Sequence, residues 1–353
     1  MTAPTYSIVV PVCDEEGSLP ELERRLLAVM EKLDAPSEVI LVDDGSTDAS
    51  ARLLAEMSER DARFTSIQLS RNFGHQAAIT AGLDFARGQA VVVLDADLQD
   101  PPEVILEMAA RWRDGYEVVY AIREERLGES TFKRLTASSF YGALRKLSDV
   151  DAPADVGDFR LVDRAALEAF KLMRERNRYV RGMFGWIGFR QIGVRYTRAE
   201  RIAGRTKYPF SQMVKLATDA IIGFSTAPLR FALKLGFVLS SLSILGALSA
   251  IVLKFTGAYT VPGWASLIVA VAFLGGVQLL MLGVVGEYVA RIHDEVRGRP
   301  LYLVRETHGL GDDERSQRSR GLERPVSEGE SSLEGTTSAH RACPRASWFE
   351  PPG

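Results

Sequence analysis

The stretch AVVVLDADLQDPPE, residues 90–103, decides how the chain is read. Four aliphatic side chains, Val91 to Leu94, run into Asp95-Ala96-Asp97 and then a turn carrying Pro101 and Pro102. A continuous apolar run of this kind marks a strand covered on both faces. Side chains two apart in a strand share a face, so a strand over 90–97 aims both carboxylates at one point. Like charges converge there only when a cation or protons lie between them. A hard divalent ion, Mg2+ or Mn2+, held also by substrate phosphates, removes the conflict. Taken alone, the motif is a weak signal, and a plainer reading stands beside it: a solvated acidic turn, or a helix N-cap ahead of Pro101-Pro102-Glu103.

The neighbouring segments strengthen the ligand reading. YSIVVPV (6–12), EVILVDD (38–44) and TSIQLS (65–70) are further apolar runs, and EVVYAI (117–122) is the next strand along. Between them lie helical patterns at 19–33, 49–61 and 75–88; in the first, Leu19, Leu22, Leu26, Leu27 and Met30 fall at three- and four-residue intervals. Strand and helix in alternation predict a mainly parallel sheet with helices on both faces. Ligands of such sheets bind beyond the carboxyl ends of the strands. Those ends read Pro11-Val12-Cys13-Asp14-Glu15-Glu16, then Asp43-Asp44-Gly45-Ser46-Thr47-Asp48, then Ser70-Arg71-Asn72-Phe73-Gly74-His75. Ser46 or Thr47 is a candidate helix cap, which leaves two adjacent acids at the end of a buried run unexplained. Acids at three strand ends with one arginine suit a nucleotide diphosphate and a metal.

Farther along, the composition changes. LGFVLSSLSILGALSAIVL (235–253) and WASLIVAVAFLGGVQLLMLGVVG (264–286) carry no charge. The first rises about 28 Å as a helix, close to the thickness of bilayer hydrocarbon. The linker KFTGAYTVPG holds Gly257, Pro262 and Gly263, so the pair predicts a two-helix transmembrane hairpin within 231–305. Arg230 and Lys234 precede it and Arg291, Arg297 and Arg299 follow, against Lys254 alone in the loop, which places both ends on the cytoplasmic side of a cell membrane. Segment 208–230 reads as an interfacial amphipathic helix ending before Pro228. From 311 to 353 the chain is polar and aperiodic, and it is expected to be disordered. The 353 residues carry a net charge of −3, which gives no hint of nucleic-acid binding. Cys13 and Cys343 offer no zinc spacing or disulfide framework, and the N-terminus shows no signal peptide.

SIVVPVCDEE, EVILVDDGSTD, LSRNFGHQAAITAGLDFARG and VVVLDADLQDPPE together resemble glycosyltransferase family 2. The likeness is strongest to its polyprenyl-phosphate branch, which includes dolichyl-phosphate mannose synthases and bacterial undecaprenyl-phosphate glucosyltransferases. It runs on through DVGDFRLVDR (155–164), YVRGMFGWIGFRQ (179–191), the segment 201–230 and the hairpin, covering about residues 5–305. The resemblance implies a GT-A nucleotide-diphospho-sugar transferase domain over 1–207 and an inverting transfer of glucose from UDP-glucose to undecaprenyl phosphate. By the same resemblance Asp44 would hydrogen-bond uracil, Pro11 and Glu15 would line the base pocket, and Arg71 would serve the nucleotide. Asp95 would sit near ribose and metal, Asp97 would ligate the ion, and Asp158 would be the base or the group that orients the acceptor. An Asp158–Arg160 surface pair is the plainer alternative for that acid. Arg123, Arg126, Lys133, Arg201, Arg205 and Lys207 are candidates for the diphosphate and the lipid phosphate.

Other chemistries fit less well. A processive polysaccharide synthase would carry Gln-X-X-Arg-Trp and more membrane helices. A dinucleotide-binding oxidoreductase needs a Gly-X-Gly-X-X-Gly turn where PVCDEEG stands, and a P-loop needs Gly-Lys, which the chain never contains. GDP-mannose, UDP-N-acetylglucosamine or an amino-arabinose donor, and a non-catalytic membrane-anchored regulator, remain open alternatives. Gly246, Gly275 and Gly276 offer small surfaces for helix packing, so self-association is open too.

Overall fold

Nine elements alternate through the first half of the protein: β1 (Tyr6–Val12), α1 (Leu19–Met30), β2 (Ser37–Asp43), α2 (Ser50–Arg60), β3 (Phe64–Leu69), α3 (His75–Phe85), β4 (Ala90–Val93), α4 (Val104–Arg113) and β5 (Val118–Arg123). After them come β6 (Val156–Asp163), α5 (Arg164–Leu172), α6 (Val180–Trp186), β7 (Gln191–Tyr196), α7 (Ala227–Phe255), α8 (Trp264–Val296) and β8 (Val304–His308). The computed structural model describes residues 3–123, 156–176, 178–197, 227–255 and 264–310. Arg126, Lys133, Arg201, Arg205, Lys207, most of the expected interfacial helix and the 311–353 tail lie outside the described residues.

The strands form one sheet in the order β7-β5-β6-β4-β1-β2-β3-β8. β1, β2, β3 and β4 are mutually parallel, whereas β6 runs antiparallel to both β4 and β5. Every residue of β1 is buried, as its unbroken apolar run requires. Its side chains alternate between two cores. Ile8, Val10 and Val12 join Leu22 and Leu26 of α1 and Met108 of α4, while Val9 faces Ile79 and Leu83 of α3 and Phe184 of α6. Each such fully buried aliphatic side chain contributes about 1.5–3 kcal/mol, so the sheet's centre is the rigid base of whatever its edge carries.

Two expectations need correction here. First, β4 stops at Val93, and Asp95–Asp97 lie in a turn that ends on Leu98 in the left-handed region at φ 58°. The strand-face argument for the two carboxylates therefore does not apply; the turn and β6 set their geometry. Second, neither Ser46 nor Thr47 caps α2, whose N-cap is Ala49 without a side-chain hydrogen bond. The Ser46 hydroxyl accepts from the Asp14 amide at 3.1 Å instead, and Asp48 accepts from the Ser50 amide at 2.9 Å. Beyond α8, β8 pairs antiparallel with β3 and covers that edge of the sheet.

α8 has 33 residues, about 50 Å of helix, so it outlasts the uncharged stretch by three turns. Its segment Phe273–Val296 is long and apolar enough to cross a membrane and is unburied. In α7 the apolar stretch Phe231–Gly246 is shorter, so one membrane-length helix stands among the described residues where two were expected. The charged end of α8 docks on the sheet-bearing part of the chain. Glu295 accepts from the Arg176 amide at 3.0 Å, and the Tyr302 hydroxyl donates to Asp84 at 2.9 Å.

Candidate functional site

The loops following β1, β2 and β3 are stitched together by their own acids. Asp14 accepts from the Thr47 amide at 2.7 Å, Glu16 from the Ala49 amide at 2.9 Å, and Asp43 from the Ser46 amide at 3.1 Å. The Ser50 hydroxyl accepts from the Glu15 amide at 2.9 Å, while Pro11 is buried in β1 opposite Val42. Asp44 is buried, and its two oxygens accept from the amides of Phe73 at 2.7 Å and Gly74 at 2.9 Å. Burial raises the pKa of Asp44 above the ordinary carboxylate value even though these two amides work to lower it. Gly45 closes the same junction. Its φ is +69°, and a β-carbon there would stand 2.6 Å from backbone atoms of Arg71 and Asn72. Arg71 itself is exposed and lies over the Phe73 ring at 4.0 Å.

The reactive cluster sits one strand away. Residues 90–93 of β4 pair with 163–160 of β6, and just beyond that ladder Asp95 and Asp158 are close enough to interact electrostatically. His75, the first residue of α3, stands between them, its Nε2 3.5 Å from Asp95 Oδ1 and 3.3 Å from Asp158 Oδ2. Arg181 of α6 clamps Asp158 bidentately: Nε donates to Oδ1 at 2.9 Å and Nη2 to Oδ2 at 3.0 Å. Gln76 Nε2 approaches the same carboxylate at 3.5 Å, and Gln76 Oε1 accepts from the Val180 amide at 3.0 Å, tying α3 to α6.

The plainer reading of Asp158, a surface pair with Arg160, is thereby overturned. Both residues are buried, and Arg160 donates to backbone oxygens, Asp158 O at 3.3 Å and Gly157 O at 2.9 Å, with its guanidinium over the Phe184 ring.

Electrostatics divides the acids by role. Burial alone would raise Asp158, but His75 and Arg181 outweigh it and hold its carboxyl well below the usual range. A carboxylate of such low basicity is a poor proton acceptor. Burial also opposes charge on His75, yet Asp158 and Asp95 prevail and raise its pKa above the ordinary value. Asp95 moves the other way: burial, joined by the Asp158, Asp100 and Asp97 carboxylates, pushes it up to about 6 against the pull of His75. About a quarter of the Asp95 side chain is exposed, but its Oδ1 is buried and lacks a hydrogen-bond donor. Asp97 is partly exposed and accepts from the Gln99 amide at 3.1 Å.

An oxygen without a donor among four acids fits a hard cation. Among the described residues no three His, Cys, Asp or Glu side chains complete a metal site by themselves, so phosphate oxygens and water would supply the remaining ligands. Arg123, expected at a phosphate, is engaged beneath the turn: Nε donates to the Tyr196 hydroxyl at 3.2 Å, Nη2 to Asp100 at 3.4 Å, and Tyr196 donates to Asp100.

A mostly parallel sheet with two reversed strands, β6 and β8, and acids gathered at its carboxyl edge, make a GT-A-like α/β fold. The family model for glycosyl transferase family 2 matches residues 7–170. The uncharacterized glycosyltransferase YkcC of Bacillus subtilis (strain 168) is 49% identical over 305 residues, covering 86% of this chain and 94% of that protein. The bactoprenol glucosyl transferase of Shigella phage SfV is 38% identical over 299 residues, covering 85% of this chain and 97% of that protein. A solved structure, the mannosyltransferase PcManGT from Pyrobaculum calidifontis in complex with GDP-Man and Mn2+, is a loose likeness, with a TM-score of 0.39 at 18% identity over 83% of this chain and 88% of that chain. The chain belongs to glycosyl transferase family 2, and it is a glycosyltransferase.

Proposed function

We infer that the protein is a membrane-bound inverting transferase that moves glucose from UDP-glucose to a polyprenyl phosphate and releases UDP. The observation that carries this reading is the 38% identity with a bactoprenol glucosyl transferase over 299 residues, a length that in a chain of 353 necessarily includes both long helices. Relatedness confined to the nucleotide-binding half would say little about the acceptor. Here it extends to the segment that would bring the enzyme to its lipid. Both α7 and α8 would span the membrane as a hairpin, with the catalytic domain on the cytoplasmic side, and the hairpin would confine the search for the head group to a surface.

In this reading Pro11, Glu15, Asp44 and Arg71 serve the uridine side, and Asp95 and Asp97 would hold Mg2+ or Mn2+ beneath the diphosphate. Such an ion, when bound, neutralises charge on the departing nucleotide. The acceptor supplies its own nucleophile, because a phosphate monoester with a second pKa of about 6 is largely ionised near neutrality. Asp158, clamped by Arg181 and held below the usual carboxylate range, then orients rather than deprotonates. One experiment tests the reading: purified protein with undecaprenyl phosphate, Mg2+ and a panel of nucleotide sugars, the lipid product identified by mass. A glucosyl phospholipid formed from UDP-glucose is the expected result. Transfer to no lipid, or use of another sugar in preference, overturns it.

A further inference from the structure

Arg181 carries more donors than Asp158 uses. A guanidinium has five N–H groups, and the bidentate contact with Asp158 occupies only the edge formed by Nε and one side of Nη2. Nη1 and the other side of Nη2 make up the opposite edge, and Nη1 has no partner among the described residues. Asp158 is almost fully buried, whereas the Arg181 side chain is 34% exposed, and the open edge is the one turned away from the acid. An unused fork of this kind, fixed in place by a buried carboxylate, matches two oxygens of a phosphate.

Its position selects which phosphate. α6, which bears Arg181, follows the loop that docks the membrane-side helix: the Arg176 amide donates to Glu295 near the end of α8, and the Arg176 guanidinium donates to the Arg299 carbonyl at 3.5 Å. The expected nucleotide residues, by contrast, sit at or just after the ends of β1, β2, β3 and β4. We propose that Arg181 grips the phosphate of the lipid acceptor through its Nη1 edge, and that Asp158 is a positioning residue which holds the guanidinium for that purpose. The inference rests on the transferase reading above and makes Arg181, rather than Asp158, the group that touches the acceptor. In the step served, an ionised phosphate oxygen forms a bond to the anomeric carbon as the bond from that carbon to the UDP oxygen breaks. The electron pair leaves on UDP. No proton is gained or lost, so no base is needed at Asp158.

The test separates acceptor from donor. Full-length protein in detergent is assayed with UDP-glucose, undecaprenyl phosphate and Mg2+, as wild type, Arg181→Gln, Arg181→Lys and Asp158→Asn. Losing a charge-assisted pair to phosphate should raise the acceptor KM of Arg181→Gln about 10- to 100-fold, with the donor KM within about twofold of wild type by the same measure. Arg181→Lys should fall between, because charge survives and the fork does not. Asp158→Asn should move the acceptor KM in the same direction and keep measurable kcat. A rise in donor KM, an unchanged acceptor KM, or loss of all Asp158→Asn turnover without a change in acceptor KM would each overturn the proposal. Calorimetric titration of farnesyl phosphate without any sugar donor adds a readout independent of turnover. Wild type should bind it and Arg181→Gln should not, with UDP affinity reporting that the variant is folded; equal binding by both overturns the proposal. If that difference appears while the wild type transfers no glucose, the transferase reading fails and the phosphate site stands.

Discussion

Replacing Gly45 with alanine tests the interlock of the loops that follow β2 and β3. Two penalties act at this position. The backbone has φ +69°, where a β-carbon costs about 1–2 kcal/mol. The same carbon would lie 2.6 Å from Arg71 C and Asn72 N, backbone atoms that cannot rotate away. Forcing that overlap apart adds about 1–3 kcal/mol, so Gly45→Ala should lose about 2–5 kcal/mol in all. Gly188→Ala is the control, because its φ is +73° and a β-carbon there meets nothing within 4 Å. It should lose only the conformational part, about 1–2 kcal/mol. Urea unfolding of the full chain in detergent micelles, followed by tryptophan fluorescence and compared at a common slope, gives the difference. Amide exchange over residues 71–75 should also quicken in Gly45→Ala, since the displaced segment carries the Phe73 and Gly74 amides bound by Asp44. Equal midpoints for the two variants, with unchanged exchange at these amides, would show that the loops do not brace one another.

Asp97→Ala should abolish turnover while costing about 1 kcal/mol of stability for the bond it accepts from the Gln99 amide, since the side chain is partly exposed; near-normal activity refutes its metal role. Asp158 has a folded pKa below its unfolded value of about 3.9, so its contribution is present above that pH and fades as pH falls below it. The stability gap between wild type and Asp158→Asn should therefore narrow in acid unfolding below about pH 4, and a gap independent of pH would contradict the clamp. Tyr302→Phe removes the hydroxyl bond to Asp84 and should cost about 1 kcal/mol, read as faster exchange of β8 amides; unchanged exchange would mean that β8 is held by its ladder alone.

Much of the fold was legible because burial on both faces writes a plain code. The apolar runs at 6–12, 38–44 and 65–70 became β1, β2 and β3 within one residue at either end. β4 was overextended because Leu94 continues the apolar run, although the chain turns after Val93. β8 escaped notice since VRETH is polar and half exposed, being an edge strand that earns its place by pairing with β3. The site was legible as acids at strand ends, yet the sequence does not say which acids serve the fold. Asp14, Glu16 and Asp48 proved to accept backbone amides between loops. His75, Gln76 and Arg181 were missed as site residues, because a helix start and a short helix distant in sequence meet Asp158 only through the sheet. Their one visible signal was polar side chains inside the otherwise apolar stretches NFGHQAAI and YVRGMFGW.

The central claim is that acids at the carboxyl edge of the sheet hold a divalent ion and a nucleotide sugar together. Anomalous diffraction from crystals of the full chain grown with UDP and Mn2+ addresses it directly. The account predicts a manganese peak bound by Asp95 and Asp97, with the diphosphate of UDP completing its shell. Manganese found away from both carboxylates, or UDP bound with that edge left empty, would contradict it.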